Sequence, residues 1–170
     1  MESNGPCYSP VSDRHSVFGL EPKATHIGNL DARPLLLFQA TFSGCGSGTL
    51  TSYSILTPRG GELVNLLPPL ELTEQSEIQW WLLPEISRAP VLVTADFIWD
   101  TAAGESHFAS HRYRISAFAY DQKTGIYAAD VAYETGSRYP GLDQTDEISV
   151  LASEKSRILS KLDAVRRVRP

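Results

Sequence analysis

The densest set of side chains able to do chemistry runs from Asp96 to Arg112. It holds Asp96, Asp100, Glu105, His107 and His111, with Thr101, Ser106 and Ser110 between them. Carboxylates and imidazoles this close in sequence are the raw material of a metal site. His107 and His111 are four apart, which on a helix places both rings on one side, a zinc geometry. On a strand the same step separates them by about 13 Å, too far for one ion. The zinc-protease pattern has its Glu directly after the first His, whereas here Glu105 precedes His107. Calcium would draw hard oxygens from Asp96, Asp100 and Glu105, but the dense acidic alternation of an EF-hand loop is absent. A zinc- or calcium-assisted hydrolase using Asp96, Asp100, Glu105, His107 and His111 is therefore one expectation. The plainer one is a loop between two strands whose Glu105 and His111 satisfy Arg112 or backbone donors, presenting a binding surface.

Nucleophilic and phosphate chemistry find less support. The turn Gly44-Cys45-Gly46-Ser47-Gly48 does not spell a nucleophile elbow, because Cys45 stands two before Ser47 where glycine is required. Nor does it have the spacing of a phosphate-cradling loop. The two cysteines, Cys7 and Cys45, match no close-pair zinc or redox motif. Joined as a disulfide they would stabilise the chain by roughly 3–4 kcal/mol and imply an oxidising compartment. As free thiols they suit a cytoplasmic protein equally well. Aromatic residues supply the remaining candidates, above all Trp80-Trp81 and Trp99. Neighbouring residues of a strand point to opposite faces, so one tryptophan of the pair is outside unless something covers it. Trp81 and Trp99 join Asp100, Glu105, His107 and His111 as the expected binding residues.

The elements that must position these residues follow from periodicity. Residues 1–33 hold Gly5, Pro6, Pro10, Gly19, Pro22 and Gly28 without sustained alternation, and predict an extended arm. Residues 34–170 form the β-rich domain. Leu35 to Phe42 is a buried strand that hairpins with Thr49 to Leu56, and Glu62 to Leu67 is a short strand ended by Pro68-Pro69. Ile78 to Leu83 is bulky on both faces, and Val91 to Trp99 alternates cleanly. Arg112–Tyr120 and Ile126–Glu134 flank Asp121-Gln122-Lys123-Thr124-Gly125, a five-residue hairpin loop. Opposing Tyr120 with Ile126 pairs Ile115 with Val131 and Arg112 with Glu134. A helical repeat of Ile148, Leu151, Ala152, Ile158, Leu159, Leu162 and Val165 predicts a helix over 146–166, acidic at its start and basic at its end. The fold class is thus mainly β (α+β), an antiparallel sheet or small sandwich of six to eight strands packed by one C-terminal helix.

Composition bounds what this domain meets. The 170 residues are 42% hydrophobic and 21% charged, within the ordinary globular range. With 20 acidic and 15 basic side chains the net charge is −5, a field that favours neither nucleic acid nor an anionic membrane. No apolar run is long enough to span a bilayer. The first 142 residues carry 15 acids and 9 bases, the last 28 carry 5 and 6, so the acidity belongs to the β portion and the helix is near neutral. The opening Met1-Glu2-Ser3-Asn4-Gly5-Pro6 lacks the basic and apolar regions of a signal peptide, though it also suits a processed export product. Together these features lead to an expectation of a non-catalytic, exported bacterial binding protein, periplasmic or secreted. Its concrete form is an immunity or inhibitor protein occluding a basic secreted enzyme. A carbohydrate-binding or structural β-module using exposed Trp and Tyr is the further alternative.

Overall fold

The computed structural model describes residues 21–43, 49–73, 75–99, 109–140 and 149–168. Two antiparallel sheets are stacked, and a helix lies on the outer face of the second. The first sheet contains β1 (Glu21–Leu30), β2 (Arg33–Ser43), β3 (Thr49–Arg59), β4 (Glu62–Asn65) and β5 (Leu70–Thr73), in the order β1-β2-β3-β4 with β5 also on β3. The second runs β6 (Glu77–Trp81), β7 (Val91–Phe97), β8 (Tyr113–Asp121) and β9 (Ile126–Glu134), paired in sequence. The helix α1 is Val150–Val168.

The described residues form nine strands, above the six to eight expected. β1 arises within the segment read as an arm: its mixed Glu-Pro-Lys-Ala-Thr composition hides a strand because it is an edge, bonded only to β2. β5 is four residues long, too short to show a period.

Two cores result. Between the sheets, Ile27, Leu30, Leu35, Leu37, Ile55, Leu66, Leu67, Leu92 and Tyr127 are buried together. Between the second sheet and the helix, Val91, Val93, Ala95, Ile115, Ala117 and Val131 meet Val150, Leu151, Ile158 and Leu162. β7 is buried along both faces because it contributes to each core, which is why its alternation carries apolar residues on both sides.

The β8–β9 hairpin forms as expected, with a different register. Near the turn Tyr120 opposes Tyr127 and Asp121 opposes Ile126; beyond a bulge at Ala117/Phe118, Ile115 opposes Tyr133 and Arg114 opposes Glu134. The bulge inserts Asp130 and reverses which face β9 presents. Tyr127 therefore packs into the core between the sheets, while Val131 and Tyr133 pack under the helix. A single register along the whole hairpin would have put Tyr127 and Val131 on one face. The expected ion pair survives, since Arg112 and Arg114 approach Glu134 at 3.6 and 3.9 Å.

The described helix runs from Val150 to Val168, and residues 146–148 of the expected span lie outside the described residues. No acidic residue stands in its first turn. The described span contains Lys155, Arg157, Lys161, Arg166 and Arg167 against Glu154 and Asp163, while Asp143, Asp146 and Glu147 precede it in the sequence.

Candidate functional site

The N-terminus of α1 is held by a residue from another element. Glu77, on edge strand β6, accepts hydrogen bonds from Val150 N at 2.6 Å and Leu151 N at 3.1 Å, and from the Ser149 hydroxyl at 3.0 Å. Ser149 Oγ in turn accepts from Ala152 N at 3.0 Å, the bond of an N-cap serine. A carboxylate here satisfies orphan amides and complements the helix dipole, tasks usually done by a first-turn acid.

One turn further on, Glu154 occupies a core-facing position of the helix and is 9% exposed. It accepts from Tyr133 Oη at 2.8 Å and Tyr139 Oη at 3.0 Å, and Arg157 stands 3.6 Å away. The Arg157 guanidinium and the Lys161 ammonium both lie over the Tyr133 ring, at 4.3 and 5.2 Å from its centroid. Burial, and then the bonded carboxylate, push the Tyr133 hydroxyl well above its ordinary range; the same causes push Tyr139 up to about 12. Both phenols are donors at neutral pH. The cluster clamps helix to sheet.

Asp96 and His111 come to the same end of the second sheet, and each is engaged structurally. Asp96 Oδ1 accepts from Thr73 N, Thr73 Oγ1 and Ser76 Oγ at 3.2, 3.2 and 3.0 Å, tying the β5–β6 connection to β7. His111 is fully buried, its ring 4.2 Å from that of Phe97, and its backbone exchanges two hydrogen bonds with Tyr139. Asp100, Glu105 and His107 lie outside the described residues, as do Cys7 and Cys45. Among the described residues no three His, Cys, Asp or Glu side chains are grouped to hold a metal ion.

Trp80 and Trp81 point to opposite faces, as neighbours on a strand must, with Trp81 partly buried and Trp80 the more exposed. Trp81 packs against the core under the helix, its indole N–H donating to Gln79 Oε1 at 3.0 Å, with Lys155 over its ring. Trp80 faces the other way and is 38% exposed. Leu82, next on the same face, is 73% exposed. It stands over β1: a Cβ added to Gly28 would lie 3.8 Å from Leu82 Cδ2 and 2.8 Å from Pro90 Cγ. Trp99 is 43% exposed and edge-on to Phe97, close to the segment that begins at residue 100.

Sequence signals for the missed residues differ in strength. Glu154 interrupts the apolar stripe of 151, 158 and 162, and an acid at a core position of a helix implies a buried partner. Leu82 continues the i, i+2 face begun by Ile78 and Trp80. Glu77 gives no signal, because its partners are more than seventy residues away. Comparison with protein-family models, with curated proteins and with solved structures finds no match for this chain.

Proposed function

We propose that this chain is a non-catalytic binding protein that grips an extended segment of a protein partner along β6. The observation that carries the reading is the pair Trp80 and Leu82, exposed side by side at the edge of the second sheet. An edge strand offers one row of backbone donors and acceptors with no strand beside it, and pairing there supplies affinity while alternate side chains supply specificity. A partly exposed tryptophan beside a leucine is a suitable anchor for such a contact.

The partner class follows from charge. The chain is −5 overall while α1 alone is positive, so the acid surplus sits on the β portion and its loops and suits a basic protein. The concrete form is an exported bacterial immunity or inhibitor protein that occludes a secreted enzyme.

The test is capture of a partner from the native host by the full chain and by its variants. Trp80→Ala and Leu82→Ala are expected to lose the partner, and Trp99→Ala to retain it. Absence of any partner, or capture indifferent to Trp80 and Leu82, overturns the reading. A metal-assisted hydrolase would draw on Asp100, Glu105 and His107, and zinc or calcium titration of chelator-treated protein decides that alternative.

A further inference from the structure

Strand β6 presents two rows of side chains, and the surroundings of each row fix what a segment added beside it must carry. Ile78, Trp80 and Leu82 form the row on the side of the first sheet: Ile78 packs on the core between the sheets, Trp80 opposes Leu92 of that core, and Leu82 stands over Gly28. Glu77, Gln79 and Trp81 form the row on the side of the helix. Among the described residues β7 is the one strand bonded to β6.

The helix-side row is flanked by opposite charges at its two ends. At one end the Glu77 carboxylate is taken up by Val150 N, Leu151 N and the Ser149 hydroxyl. At the other, Lys155 reaches from α1 over Trp81, its ammonium 5.5 Å from the ring centroid. Lys155 is exposed, and the two acids of α1 are paired with other bases, Glu154 with Arg157 and Asp163 with Arg167. An indole face holds an ammonium in place without neutralising it, so Lys155 stays available to an anion. A strand bonded along β6 would lie about 4.8 Å beyond it, each of its side chains on the same face as the β6 residue beside it. A carboxylate beside Trp81 would then lie within reach of Lys155.

We propose that the segment gripped by β6 alternates apolar and polar residues and carries an acid, Asp or Glu, beside Trp81, where its carboxylate pairs with Lys155. This rests on the reading of β6 as the docking edge and adds the chemistry of its occupant. Residues beside Ile78, Trp80 and Leu82 are apolar, matching that row. The residue beside Glu77 is not an acid, since a second carboxylate would repel the one that holds α1. A slip of one residue moves the acid onto the apolar row, so Lys155 fixes the register as well. Pro84, without an N–H for a ladder, sets the far limit of the contact. One acid at this position suits a partner that is basic overall: the −5 of the whole chain governs approach, and Lys155 governs how the segment seats.

Titration of the full chain with two synthetic peptides tests this. Both alternate valine and threonine between glycine-serine ends, with the central threonine replaced by glutamate in one and by lysine in the other; tryptophan emission reads binding. The glutamate peptide is expected to bind about three- to fivefold more tightly, the range of an exposed ion pair, and the preference to fade in about 0.5 M salt. Lys155→Glu should reverse the preference and Lys155→Gln abolish it, while Trp80→Ala weakens both peptides alike. Equal affinity for the two peptides, or a preference retained in both Lys155 variants, overturns the proposal. Binding of neither peptide overturns it too. If a partner from the native host is then still captured through Trp80 and Leu82, the acidic alternation alone falls; if capture also fails, the docking edge falls with it.

Discussion

Replacing Glu77 by alanine removes three hydrogen bonds that join the helix to the sheet, and its cost can be worked from their geometry. The carboxylate receives two backbone amides and one hydroxyl within 2.6–3.1 Å. Hydrogen bonds to a charged group contribute about 1.5–3 kcal/mol each before water takes up the exposed donors, and a lost cap costs about 1 kcal/mol. Ser149 still caps Ala152 N, so the whole sum is not forfeited. A net loss of about 3 kcal/mol is expected, which for a chain of this size lowers Tm by roughly 6–12 °C. Glu77→Gln keeps the acceptor and loses the charge, and is expected to cost about 1 kcal/mol, the larger part of it from the helix dipole. Urea unfolding followed by helical circular dichroism measures both variants. A double-mutant cycle with Ser149→Ala should give a coupling energy of about 1 kcal/mol. Loss below about 0.5 kcal/mol for Glu77→Ala, or no coupling to Ser149, would refute the assignment of Glu77 as the cap.

Other consequences can be measured separately. The raised ionisation of Tyr139, to about 12 against an unfolded value of 10.0, contributes stability that is complete below pH 10 and is lost as pH rises toward 12. Tyrosinate absorbance of the folded protein should therefore lag that of the denatured chain, and Glu154→Gln should bring part of the rise back toward pH 10. Trp81→Ala is expected to destabilise by roughly 2–3 kcal/mol and Trp80→Ala by less than about 0.5, because only Trp81 packs under the helix. Equal losses in urea melts would contradict the division of the pair. Gly28 has φ +144, and a Cβ there would lie 2.8 Å from Pro90 Cγ, so Gly28→Ala should cost roughly 1–3 kcal/mol by thermal unfolding.

The hairpin shows where sequence reading stops. Its existence, loop and flanking strands follow from alternation around Asp121–Gly125, and the Arg–Glu pairing from charge. The register does not, because alternation assigns each strand one inward face and a bulge at Asp130 gives β9 two. Tyr127 fits either core by size and polarity. What decides is that its backbone N–H donates to Leu66 O at 2.8 Å and its hydroxyl to Pro90 O at 3.0 Å, partners in distant segments that no local pattern announces. β1 was illegible for a related reason. An edge strand carrying Pro22, Lys23 and His26 has the composition that keeps edges from aggregating, which is also the composition of a loop.

The same logic separates residue types from roles at the site. Asp96 and His111 stand out by chemistry, yet the fold uses one to brace a turn and the other to fill an aromatic core. Glu77, which carries no sequence signal, and Glu154, marked only by its place in the apolar stripe, hold the helix in place. A buried polar group must be satisfied, so in a small domain such groups are drawn first into joining elements that packing alone leaves loosely fixed. Apolar residues in excess of what the two cores consume have no such obligation. Trp80, 38% exposed, and Leu82, 73% exposed just past the end of β6, are such residues. Among the described residues that surplus marks the surface where binding is expected, while Asp100, Glu105 and His107 of the carboxylate and histidine cluster lie outside them.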